Sequence, residues 1–149
     1  MAEIGSLPLA VWRAAGRGDE AALLSWLESG GRVNATCWEG DVSCITALIF
    51  AARRGHERVV ELLLQRGADA NLQSSEGGTA LMCAAQEGHE RVVELLLQRG
   101  ADANLQSSGG GTALMSAAYN GHERVVELLI RHGAEIDKQN SDGITALLY

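Results

Sequence analysis

The sequence predicts an all-α fold in which short helix pairs stack in a row, and three observations predict it. The chain repeats itself: Gly55-His56, Gly88-His89 and Gly121-His122 fall 33 residues apart, and the 21 residues from Gly55 to Ser75 recur unchanged from Gly88 to Ser108. Each period holds two apolar patterns of helical spacing with a Gly between them. One such pair cannot bury its apolar face alone, so its neighbours must supply the rest of the core.

The unit beginning at Thr79 shows how each element is specified. Thr79 is a good N-cap, its hydroxyl taking an orphan N–H of the first turn, and Gly88 stops that helix. The second helix begins at His89, with Glu90 in its first turn and Arg99 near its end, both suited to the helix dipole. Val92, Val93, Leu95, Leu96 and Leu97 make its apolar face, and Arg91 can pair with Glu94 on the outside. Gly100 supplies the left-handed end, and 102–111 has the Ser, Gly, Asn and Asp chemistry of turns.

Thr-Ala-Leu at 46–48, 79–81, 112–114 and 145–147 sets the register of the units, at about 6–36, 37–73, 74–106 and 107–139, with a partial fifth at 140–149. The first is degenerate. Gly18-Asp19 stands in the Gly-His place 37 residues before the next, because ATCWEGDVSCI after Asn34 replaces a shorter tip. Pro8 suits a first helical turn, and Leu23, Leu24, Trp26 and Leu27 fall on the second helix of that unit. The insertion at Thr36 to Ile45 is expected to be an exposed finger that the fold tolerates losing. Leu147, Leu148 and Tyr149 open a helix with none behind it, so this end is expected to fray. It reads as cut from a longer protein or covered by something else.

The Thr-x-Leu opening, the Ala84-Ala85 pair, Gly88-His89, Val92-Val93-Glu94-Leu95-Leu96, and Gly100-Ala101-Asp102 followed by Asn104 recur in register. In these residues the chain resembles the ankyrin-repeat family over nearly its whole length. The resemblance implies an ankyrin-repeat solenoid of helix-turn-helix units with projecting hairpin loops, about four repeats plus a truncated fifth. It also implies a non-catalytic protein-interaction module whose partners contact the hairpin tips and first helices, the concave face. The departure is Thr-Ala-Leu-Met, or Thr-Ala-Leu-Ile at 46–49, where the family usually has Thr-Pro-Leu-His. A family hydrogen bond is lost there, and Met fills the place with apolar volume.

Composition agrees with a globular chain and narrows the partners. The 149 residues suit one domain, with 46% hydrophobic and 21% charged residues, 18 Gly and a single Pro. Net charge is −7, and every cation except Lys138 is Arg, so a global nucleic-acid footprint is absent. The longest near-apolar stretch, Cys44 to Ala52, is too short to span a bilayer. Met1-Ala2-Glu3-Ile4 shows no secretory signal, and Cys37, Cys44 and Cys83 fit neither a zinc pattern nor a full set of disulfides. The expectation is a cytoplasmic or otherwise intracellular protein, without nucleic-acid or membrane partners and without a cofactor.

No enzyme signature survives inspection. His56, His89 and His122 lie in successive units, roughly 8–10 Å apart at helix-packing distance, too far for one zinc ion with bonds of about 2 Å. His56-Glu57-Arg58-Val59-Val60 lacks the second His of a metalloprotease helix. Gly109-Gly110-Gly111-Thr112 lacks the lysine of a phosphate loop. Cys83 has no oriented base in the sequence, and its counterparts are Phe50 and Ser116. Asn34-Ala35-Thr36 is a formal glycosylation sequon, but Asn34 aligns with Asn71 and Asn104 as an architectural asparagine. The resemblance makes Asn71 and Asn104 candidate hydroxylation sites.

Variation concentrates on the face where the family binds. The position four after each Thr reads Phe50, Cys83, Ser116 and Tyr149, with Arg13 in the same place of the degenerate first unit, and the two before the helix-ending Gly read Gly16-Arg17, Arg53-Arg54, Gln86-Glu87 and Tyr119-Asn120. Arg13, Arg17, Arg53 and Arg54 make the N-terminal half basic, while Glu76, Glu87 and Asp142 lie in the other half. Trp38, Phe50 and Tyr119 are candidate aromatic anchors, and Trp12, in the column of Ile49 and Met82, is expected in the core. The expected partner is a protein or peptide, acidic or phosphorylated where it meets the arginines. The rival readings are a substrate-recruiting or regulatory region of a larger multidomain enzyme, or a solenoid that self-associates through its uncapped end.

Overall fold

The computed structural model describes residues 6–39 and 42–149, and of residues 38, 39 and 42–44 the backbone alone. Among the described residues eight α-helices appear in pairs: α1 (Leu9–Arg17) with α2 (Glu20–Glu28), α3 (Ala47–Arg54) with α4 (Glu57–Gln65), α5 (Ala80–Glu87) with α6 (Glu90–Gln98), and α7 (Ala113–Tyr119) with α8 (Glu123–Arg131). The first helices α1, α3, α5 and α7 pack in one row, and the second helices α2, α4, α6 and α8 in another behind it. A 3-10 turn at Ala146–Leu148 packs on α7 as the start of the fifth unit.

Capping defines where each first helix starts. The hydroxyls of Thr46, Thr79 and Thr112 accept the backbone N–H of Ile49, Met82 and Met115 at 3.2, 3.2 and 3.3 Å. Each threonine is itself buried, so the bond satisfies a donor and an acceptor together; losing one such cap costs about 1 kcal/mol. Ile49, Met82 and Met115 are buried, which is the apolar filling expected where the family carries a histidine. Pro8 sits at the N-cap of α1, where its missing N–H costs nothing.

The core lies between the two helix rows. Leu23, Leu63, Leu96 and Leu129, one from each second helix, are fully buried against Leu48, Leu81 and Leu114 of the first row. Burying a leucine contributes about 1.5–3 kcal/mol relative to exposure, so this ladder of equivalent side chains carries much of the stability.

Ladders of polar contacts join the units, one through histidines, one through asparagines and one through Gln73 and Gln106, which donate to the carbonyls of Gln106 and Gln139. His56 Nε2 donates to the Gly16 carbonyl at 2.8 Å, His89 Nε2 to Arg53 at 3.0 Å, and His122 Nε2 to Gln86 at 2.9 Å. The histidines thus reach back to the preceding unit rather than serving their own helix. Their rings lie over Gly18, Gly55 and Gly88, and a Cβ on Gly55 would stand 2.7 Å from the His89 ring. With φ at 74°, Gly55 is required both by its own backbone and by the next unit's histidine. The second ladder runs through Asn34, Asn71 and Asn104, whose Oδ1 atoms accept the N–H of Asp69, Asp102 and Glu135 at 2.7–2.8 Å.

The inserted segment departs from the expectation of a free finger. Thr36–Glu39 and Val42–Thr46 form an antiparallel two-stranded sheet, β1 and β2, in which Thr36 pairs with Thr46 and Cys37 with Ile45. Cys37 and Ile45 are buried, and Leu7 donates its N–H to the Thr36 carbonyl at 2.9 Å. The base of the finger therefore belongs to the core of the first two units. Exchange for the shorter tip would remove that apolar area, so the expected tolerance applies to the far end of the hairpin and not to its base.

Candidate functional site

The first helices and the hairpin tips face each other across a groove of about 740 Å³. Its apolar floor is Phe50, Ile49 and Met82, and Arg53 and Arg54 stand on its N-terminal rim. The opposite wall, made by the tips, is short and polar, with Ser74, Ser107 and Gly111. These side chains converge because α3 and α5 are equivalent short helices one unit apart, which share their buried Ala-Leu and Ala-Ala positions. Each turns its cap toward the hairpin and the end before its Gly outward.

Phe50 is half-buried rather than a projecting anchor. Its ring stacks on Trp12 with centroids 4.0 Å apart and planes within 2°. The ring can lie there because Gly16 is bare: a Cβ on Gly16 would stand 2.1 Å from it. Arg54 then covers the ring, its guanidinium carbon 5.5 Å from the centroid, in cation–π contact. Trp12 packs partly against the core as expected and also lines the groove. Among the described residues its buried Nε1–H has no hydrogen-bond partner.

The electrostatics are asymmetric. Among the described residues neither Arg53 nor Arg54 has a carboxylate within 4 Å, in a chain whose net charge is −7. On the second helices charges of both signs interleave, as in the Arg91–Glu94 bridge at 2.7 Å. Cys83 lies in the groove beside Arg53. Burial pushes its thiol pKa up, the Arg53 charge and hydrogen bond oppose that, and Glu87 adds to the rise.

The structure brings together some predicted residues and not others. Phe50, Arg53, Arg54, Glu76 and Gln86 line the groove, and Gln86, Tyr119 and Asn120 line a second depression of about 390 Å³ further along. Arg13, Arg17 and Glu87 are exposed but line neither, and Arg17 leans toward Asp19 at 4.0 Å. The side chain of Trp38 lies outside the described residues. Asn71 and Asn104 donate their Nδ2 groups to Gly100 and Gly133, so their amides are engaged in joining units. Sequence columns missed the serines and glycines of the tips, whose repeated Ser-Ser-x-Gly-Gly pattern was the available signal. Among the described residues no cluster of His, Cys, Asp and Glu could hold a metal ion, and no helix is long and apolar enough to cross a membrane.

The geometry is that of a stacked-repeat binding scaffold with its groove on the first-helix side. The sequence model for ankyrin repeats (3 copies) matches residues 11–107 and 100–149, and the chain belongs to the ankyrin-repeat family. Ankyrin repeats are generally protein–protein interaction modules and typically non-catalytic. No curated protein sequence matches the chain.

Proposed function

We propose that this protein binds a partner protein through an extended segment lying in the first-helix groove, with an acidic or phosphorylated side chain held by Arg53 and Arg54. The observation that carries this reading is the pair of guanidinium groups that have no carboxylate partner among the described residues, beside an apolar floor, in an otherwise acidic protein. Planar guanidinium donors grip carboxylates and phosphates bidentately, and a flanking apolar floor adds area at small entropic cost. The reading includes no catalytic step and an intracellular setting, supported by three cysteines without a disulfide pattern. Hydroxylation of Asn71 and Asn104 belongs to the same proposal, as a modification of the inter-unit ladder.

Replacing Arg53 and Arg54 by Glu should abolish capture of the partner while the circular dichroism stays that of the folded protein, since both are exposed, with melting lowered only by the loss of the Arg54–Phe50 contact and of two cations in the last turn of α3. Arg91→Glu with Arg124→Glu, on the second helices, is the control and should hardly affect capture. Equal loss from both pairs would indicate general electrostatics. Retained capture in the Arg53/Arg54 variant removes the reading. A second reading, association through the C-terminal end, is favoured by the exposure of Leu147 and Leu148 there. It fails if the mass by light scattering stays monomeric at all concentrations.

A further inference from the structure

Building on that proposed site, we infer that the arginine groove and the depression beyond it act as one channel. It takes a single extended segment in which one anionic side chain and one aromatic side chain stand a set distance apart. The two depressions are continuous, sharing Gln86, Gly111 and Ser116. At the far end Tyr119 and Tyr149 meet edge to face, with centroids 5.2 Å apart and planes at 90°. Met115 lies below them, and Asn120 and Asn140 stand at the rim. Tyr119 is 71% exposed, the largest exposure of any aromatic among the described residues, so its ring face is open to a ligand. A notch of two rings and a thioether favours a third ring, through aromatic offset or edge contacts and sulfur–aromatic contact.

The middle of the channel sets the charge pattern. Glu76 lines the groove, so a second anion beside it would be repelled. The ligand therefore carries one anionic position at the arginine end and not an acidic run. Arg53 and Tyr119 occupy the same place in units two apart, with Gln86 between them. Successive helices pack about 8–10 Å apart and extended chain rises about 3.3 Å per residue, so the two anchors are separated by roughly five or six residues. The positions that differ lie just outside the 21 residues that repeat unchanged. The two ends of the channel are thus distinguished by these side chains on helices that share only their Ala-Leu and Ala-Ala positions.

The test uses short fluorescein-labelled synthetic peptides of Gly and Ser carrying one anion and one tryptophan. The two stand either at that spacing or adjacent, in both chain directions, with glutamate and phosphoserine versions, and a polyglutamate peptide serves as the control. Fluorescence anisotropy should show the wide-spaced peptide, in one direction, binding at least about tenfold more tightly than the adjacent or polyglutamate peptides, as expected for one added hot-spot contact. Tyr119→Ala should reduce it to the level of the adjacent peptide, and Arg53→Glu with Arg54→Glu should abolish binding of both. A stronger phosphoserine version supports a phosphate as the anion, and equal affinities support a carboxylate. Equal affinity for the two spacings, insensitivity to Tyr119→Ala, or no binding of the wide-spaced peptide overturns the two-anchor inference. The proposed function survives each of those results if the arginine variant still loses its partner, and both fall if it does not.

Discussion

At the N-terminal end of the stack, Asp19 stands where later units carry His56, His89 and His122. Its carboxylate turns inward and caps α2, accepting the Ala22 N–H at 3.1 Å. At the C-terminal end the carbonyl of Tyr119, equivalent to those of Gly16, Arg53 and Gln86, receives no histidine among the described residues. A Cβ on Gly88 would meet the His122 ring at 2.6 Å, whereas one on Gly121 would meet nothing within 4 Å. Apolar surface follows the same division: Leu7 and Leu23 are buried at one end, while Leu147 and Leu148 are 78% and 71% exposed at the other. Each repeat therefore carries half of an interface on either side. The first unit converts its half into a contact within its own helix, and among the described residues the fourth leaves its half at Tyr119 and Gly121 without one.

The largest expected effect contrasts the interior of the ladder with its open end. Leu96→Ala, at a fully buried position, should destabilise by about 2–5 kcal/mol through lost burial and the cavity left behind. Leu147→Ala, at an exposed one, should change stability by less than about 0.5 kcal/mol. Urea unfolding of the two variants measures both, and a large loss at Leu147 would mean that this end is covered in solution. A smaller effect should come from closing the open end with an added unit built on the 74–106 sequence and given a polar outer face. Covering part of the exposed leucines should add on the order of 2 kcal/mol, a rise in thermal midpoint of roughly 4–8 °C. No rise would show that the end is already satisfied. The smallest effect compares the two hooks. His89→Ala removes a bond between units and Asp19→Ala a bond within one, each worth about 1 kcal/mol. Amide hydrogen exchange separates them: the first should loosen the α3–α6 junction, and the second only α2. Exchange confined to α6 in His89→Ala would mean that the histidine serves its own helix.

Much of this architecture was legible along the chain, because its determinants act over three or four residues. The threonine caps, the left-handed glycines and the Val-Val-x-Leu-Leu faces repeat at 33 residues, and each fixes a helix end or a buried side without reference to distant contacts. The sequence by itself therefore determined the units, their order, their buried leucines and the side on which variation accumulates. Only the tertiary structure decided what those varied side chains do. Phe50 leaves the column of free anchors because Trp12 and bare Gly16 come from the preceding unit. Cys37 and Ile45 become core because the β1–β2 hairpin folds against Leu7 and α1. Arg53 and Arg54 reach the groove and Arg13 and Arg17 do not, although their sequence columns put all four on one face. Those outcomes depend on how one unit packs on the next, and the packing places together residues tens of positions apart, at distances that no local pattern specifies.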